Sequence, residues 1–157
     1  MDKFQITTEG YQKLKAEIDN LKNVERPKVI KQIAEAREHG DLKENAEYHS
    51  AKDKQGFIEA QIADLEKKFS RAEVIDVSKI SGDKVQFGAT VRLENLDSEK
   101  KVTYKIVSEF EANIDDGLIS STAPVGRALI GKRIGDEVEI KIPNGIINYE
   151  ILEIKFV

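Results

Sequence analysis

Apolar positions along the chain follow two different periods, and the change between them divides the molecule. Tyr11, Leu14, Ile18 and Leu21 alternate three and four residues apart, the spacing of one helix face in a coiled-coil seam. Phe4-Gln5-Ile6-Thr7-Thr8 leads into this helix, with Thr7 or Thr8 suited to cap it. Pro27 interrupts the run and predicts a bend or a local break in hydrogen bonding. The stripe then resumes at Val29 or Ile30 and continues through Ile33 and Ala36. A second, more regular helix carries Tyr48, Ala51, Gln55, Ile58, Ile62, Leu65, Phe69 and Ala72 on one face. The short segment between the helices leaves them only an antiparallel arrangement. Each helix of about 30 residues would extend roughly 45 Å at 1.5 Å per residue.

Near Val74-Ile75-Asp76-Val77 the helical period ends, and Ser78 to Lys84 reads as a connection. The period then becomes two: Val85, Phe87, Ala89, Val91 and Leu93, followed by Val102, Tyr104 and Ile106, with Leu96 to Lys100 as the turn. Asn113 to Gly117 is a polar loop before an apolar strand at Leu118-Ile119-Ser120. Pro124 to Gly131 reads as one short helix, opened by proline and closed by glycine. Strands at Glu137 to Ile142 and Ile147 to Phe156 flank a Pro143-Asn144-Gly145 turn. The predicted class is therefore α+β: an antiparallel helical coiled-coil hairpin over residues 1–77, then a small antiparallel-sheet domain over 78–157.

Composition narrows the chemistry. Charged residues make up 34% and aromatics 6% of the 157, with no Trp, which suits a long solvated helical element rather than a large core. The absence of Cys removes disulfides and thiolate metal sites. No apolar run approaches the roughly 18 residues of a membrane span, so a soluble cytoplasmic protein is expected. Residues 1–77 hold 14 basic and 16 acidic side chains, leaving 11 and 13 of the 25 and 29 in the remainder. Neither half has the basic excess of a protein that seeks bare nucleic acid.

Candidate chemistry concentrates between the two helices, in His39-Gly40-Asp41-Leu42-Lys43-Glu44-Asn45-Ala46-Glu47-Tyr48-His49. Gly40 suits a left-handed exit from the first helix. Asp41 and Glu44 have the spacing of a capping box, which would make both carboxylates structural. The same two acids, held at the end of a rigid arm, would equally form half of a divalent-cation site. Mg²⁺ is commonly held by one or two carboxylates, with substrate phosphates and waters completing an octahedron. His49 lies eight residues after Asp41 and could share its surroundings. The C-terminal half has no His, and Gly126 and Gly131 read as helix punctuation rather than as a phosphate loop.

The run Gly40 to His49 resembles the tip motif of the bacterial Gre transcript cleavage factors. Pro124-Val125-Gly126-Arg127-Ala128-Leu129-Ile130-Gly131-Lys132 resembles their C-terminal signature, and Phe87 to Val91 and Asn95-Leu96-Asp97 also fit. The likeness spans essentially the whole chain and is strongest to the GreA branch, since the long basic surface of the GreB branch is not evident. It implies an FKBP-like C-terminal domain that grips bacterial RNA polymerase, and a coiled coil that enters the secondary channel of a backtracked enzyme. It further implies that Asp41 and Glu44 help hold a second Mg²⁺ in the polymerase active site and orient the attacking water. The polymerase then hydrolyses the extruded RNA 3′ end, and the factor, expected to be monomeric, cleaves nothing alone. Arg37, Lys43, Asn45, Lys52 and Lys54 become candidate contacts to RNA or polymerase near the tip.

Two rival functions follow from the same features. A coiled-coil regulator could occupy the channel without aiding cleavage, but it would have no use for Asp41 together with Glu44. An FKBP-like domain could be a peptidyl-prolyl isomerase. That activity needs an aromatic-lined apolar wall, whereas Phe87, Tyr104, Phe110, Tyr149 and Phe156 mostly fit core strand positions.

Overall fold

The computed structural model describes residues 2–157. They form two compact units, one of residues Tyr11–Ala72 and one of Asp2–Gly10 with Glu73–Val157. Strand β1 (Phe4–Thr7) pairs with β2 (Ala72–Ile75) in a two-stranded sheet, so the chain start is grouped with the second unit.

The first unit is the helical hairpin. Helix α1 (Thr8–Asn20) and helix α2 (Arg26–Arg37) are joined by a π-helical turn over Leu21–Glu25, and α3 (Ala46–Arg71) returns antiparallel. Pro27 explains the wide turn. It has no N–H to offer the carbonyl of Asn23, and its ring would press on that carbonyl in a regular helix. The backbone widens just before it, and the Arg26 amide donates to Leu21, five residues back. The added residue sets the register beyond: Val29 is buried and Ile30 lies half exposed. Leu14, Ile18, Leu21, Ile33 and Ala36 on one side of the hairpin, and Ala51, Ile58, Ile62 and Leu65 on the other, are all buried, and Tyr11 stacks on Phe69 at 4.6 Å between ring centroids. Across the π turn, Arg26 makes a two-pronged contact with Glu59 (2.7 and 2.9 Å) and Lys22 reaches Glu66 at 2.7 Å.

The second unit is built on a five-stranded sheet in the order β5-β4-β3-β7-β6, comprising β3 (Thr90–Asn95), β4 (Lys101–Val107), β5 (Leu118–Ser120), β6 (Glu137–Ile142) and β7 (Gly145–Lys155). The class is α+β as expected, but the sheet is mixed: β5 runs parallel to β4. A 3₁₀ turn at Ile114–Asp116 and Gly117 (φ +74°) reverse the chain before β5, which allows that return. Residues Val85, Phe87 and Ala89 are buried as their alternation predicted, yet they do not continue β3. Gly88, at φ +87°, turns the chain there, and its amide donates to Ile106. Helix α4 (Pro124–Leu129) packs over the sheet. Gly126 is more than helix punctuation: a Cβ on it would stand 2.2 Å from the Ser120 carbonyl oxygen.

Within this unit Glu111 ties the chain start to the sheet. Its carboxylate accepts from the amide and hydroxyl of Thr7 and from the amide and hydroxyl of Ser108. Thr7 Oγ1 in turn accepts from the Gly10 amide at 3.1 Å, the helix cap expected of Thr7 or Thr8.

Candidate functional site: the tip of the hairpin

Helix α2 ends at Arg37, and Gly40 (φ +118°) takes the chain out of it as expected. Helix α3 does not start where the capping-box spacing predicts. Its first residue is Ala46 and its N-cap is Asn45, whose Oδ1 accepts from the Tyr48 amide at 3.1 Å. The Nδ2 of the same side chain donates to the Ala36 carbonyl at 2.6 Å, satisfying an end carbonyl of α2. Asn45 therefore uses both ends of its amide to join the two helices. The local signal was an Asn ahead of Ala-Glu, with Glu47 in the first helical turn, but D-x-x-E upstream offered a competing start.

Asp41 and Glu44 consequently belong to an exposed turn outside both helices. Asp41 Oδ1 accepts from the Lys43 amide at 3.0 Å, a local Asx turn. Neither carboxylate takes part in an ion pair among the described residues. His49, on the first turn of α3, places Nε2 3.1 Å from the Lys43 carbonyl oxygen. Tyr48 meets the His49 ring edge-on at 5.5 Å, and the Arg37 guanidinium sits 5.8 Å from the Tyr48 ring centroid. Arg37, Lys43, Lys52 and Lys54 are all exposed, with Lys52 Nζ 3.3 Å from Gln55 Oε1. The structure thus brings Asp41, Lys43, Glu44 and His49 into one short segment and places Lys52 and Lys54 farther along α3.

The donor set suits a hard divalent cation in kind but not in number. Carboxylate oxygens are the ligands Mg²⁺ prefers, and two of them stand free of capping duty. No cluster of three or more His, Cys, Asp or Glu side chains able to hold a metal ion exists among the described residues. A concavity of about 570 Å³ behind the tip, between α2 and α3, is lined by mixed side chains including Glu35, His39, Glu47 and Lys54. Neither Asp41 nor Glu44 reaches it.

Residues 4–74 match the sequence model of the family described as "Transcription elongation factor, N-terminal", and residues 80–156 match "Transcription elongation factor, GreA/GreB, C-term". The chain belongs to the GreA/GreB family of transcription elongation factors. Transcription elongation factor GreA of Phenylobacterium zucineum is 55% identical over 157 residues, covering 100% of both chains. GreA of Beijerinckia indica is 55% identical over 156 residues, covering 99% of each. GreA of Rickettsia canadensis is 53% identical over 154 residues, covering 98% of this chain and 95% of its own. These relatives bear out the resemblance of the chain to the GreA branch. Among solved structures, GreA factor homolog 1 (Gfh1) of Thermus thermophilus is 29% identical and aligns over 97% of this chain and 98% of its own. The TM-score is 0.44. No helix among the described residues is long and apolar enough to cross a membrane.

Proposed function

We propose that this GreA/GreB family member rescues backtracked bacterial RNA polymerase in the cytoplasm by stimulating the polymerase's own hydrolysis of the RNA 3′ end. The observation that carries the reading is the release of Asp41 and Glu44 from helix capping, which Asn45 performs instead. A binder that only filled a channel would gain nothing from two exposed, unpaired carboxylates at its tip.

In this reading the hairpin delivers the tip through the secondary channel. Helix α3 alone, at 26 residues, extends about 39 Å at 1.5 Å per residue. Asp41 and Glu44 would contribute oxygen ligands to a Mg²⁺ site completed by polymerase, RNA phosphate and water. Mg²⁺ held there would neutralise charge on the phosphodiester and lower the pKa of a water. Asp41 keeps its orientation through the Lys43 amide, which leaves its second oxygen for the ion. Arg37, Lys43, Lys52 and Lys54 offer cations to phosphates of the extruded strand. In this reading the chain cleaves nothing alone, since Asp41 and Glu44 supply only part of the ligand set that Mg²⁺ takes.

The test is a backtracked bacterial elongation complex with labelled RNA, assayed with wild type and Asp41→Asn. Asn keeps the oxygen that accepts from Lys43 and removes the charge. Wild type should shorten the RNA in a Mg²⁺-dependent manner, and Asp41→Asn should bind polymerase without doing so. A folded, polymerase-bound wild type that leaves RNA intact would refute the reading and make the protein a non-cleaving regulator.

A further inference from the structure

We propose that His49 is a positioning residue for the Asp41 carboxylate, acting through Lys43; the inference rests on the function proposed above. The segment 41–44 lies outside helix and strand, so its own few hydrogen bonds decide where Asp41 points. Two of them meet at Lys43. Its amide donates to Asp41 Oδ1 at 3.0 Å, and its carbonyl oxygen stands 3.1 Å from His49 Nε2. A carbonyl can only accept, so His49 donates from Nε2–H. The helix thereby holds one side of Lys43 while Lys43 holds Asp41. The imidazole is itself braced, edge-on against Tyr48, whose amide is fixed by the Asn45 cap.

His49 commits Nε2–H as a donor to the backbone, which leaves Nδ1 as the acceptor of the neutral ring. What His49 contributes is a fixed loop, and a metal ligand held in place before the ion arrives loses less freedom on binding it. The ring must therefore be replaceable by any side chain that places an N–H at the same point. Glutamine, whose amide nitrogen sits about as far from Cα as Nε2 does, meets that requirement, and alanine does not.

The experiment has two arms on the full-length protein. In the free protein, amide exchange at Lys43 is compared for wild type, His49→Ala and His49→Gln. His49→Ala should exchange roughly three- to tenfold faster, in keeping with loss of one exposed hydrogen bond, and His49→Gln should approach wild type. In backtracked complexes, His49→Ala should require several-fold more Mg²⁺ for half-maximal RNA shortening at unchanged polymerase affinity, with His49→Gln restoring the lower requirement. Wild-type exchange and Mg²⁺ dependence in His49→Ala would overturn the proposal. So would a His49→Gln variant as defective as His49→Ala, which would put the imidazole itself in the chemistry. If wild type fails to shorten RNA, the functional reading falls, while the exchange arm still decides whether His49 holds the Lys43–Asp41 turn.

Discussion

Asn45 donates to the carbonyl of Ala36 across nine residues, at 2.6 Å, and so joins the end of one helix to the beginning of the next. Because its Oδ1 also caps α3, one side chain closes both helices of the hairpin and leaves Asp41 and Glu44 outside them. Asn45→Ala should lose the cap and the Ala36 bond together and destabilise the arm by about 1–2 kcal/mol. Asn45→Asp keeps a capping oxygen but has no N–H for Ala36, so it should cost less. Chemical unfolding followed by circular dichroism measures both, and equal losses would show that the Ala36 bond does most of the stabilising.

The tip also shows what local pattern could and could not reveal. Asp41 and Glu44 satisfied every short-range requirement of a helix start, and the partner that decided for Asn45, Ala36, lies outside any capping window. The seam was legible because burial follows period, but the choice of Val29 over Ile30 depended on the π turn that Pro27 forces. In the second unit, the alternation from Val85 to Ala89 correctly gave buried side chains. It could not show that Gly88 turns the backbone away from β3. The β1–β2 pairing joins residues some 70 positions apart through two four-residue strands, too short to carry a periodic signal. The parallel placement of β5 was likewise invisible, since direction is set by the path of the chain rather than by three apolar residues.

Gly10 and Glu111 form a pair that double substitution can isolate. Alanine in a helix normally stabilises relative to glycine by up to about 1 kcal/mol. At position 10, however, a Cβ would lie 2.1 Å from Glu111 Cδ. That carboxylate cannot step aside without surrendering its bonds to Thr7 and Ser108. Gly10→Ala should therefore destabilise by roughly 1–3 kcal/mol. In a Glu111→Ala background the same change should become neutral or favourable. Additive losses in urea unfolding would contradict the clash.

Tyr149 makes the second unit sensitive to alkali. Burial pushes its hydroxyl above the ordinary value of 10.0, with smaller contributions from the charge and hydrogen bond of Tyr104. A raised pKa means that the folded state holds its proton where the unfolded chain has released it. The stability due to this proton is full below about pH 10 and declines as pH rises through the folded value. Tyr149→Phe keeps the ring and removes the titration. The gap in unfolding free energy between wild type and variant should therefore shift in favour of the variant as pH rises past about 10. A gap that stays constant with pH would show that the hydroxyl ionises equally in both states.

Two further glycines should respond in opposite directions to the same substitution. Gly126 lies inside α4, where a Cβ would stand 2.2 Å from Ser120 O and 3.1 Å from Ser120 C. Those are backbone atoms of the strand end, so neither a rotamer change nor a small shift relieves the overlap. Gly126→Ala should separate α4 from β5 and cost at least about 2 kcal/mol. Gly56 sits inside α3 with open space around the missing Cβ, and nothing in the hairpin requires its absence. There the helix carries the entropy of a glycine without a packing return, so Gly56→Ala should stabilise the arm by about 0.5–1 kcal/mol. Thermal unfolding of the two variants beside wild type gives the signs directly. A loss at Gly56 would mean that α3 uses the glycine for bending, and a gain at Gly126 would mean that α4 is free to lift from the sheet.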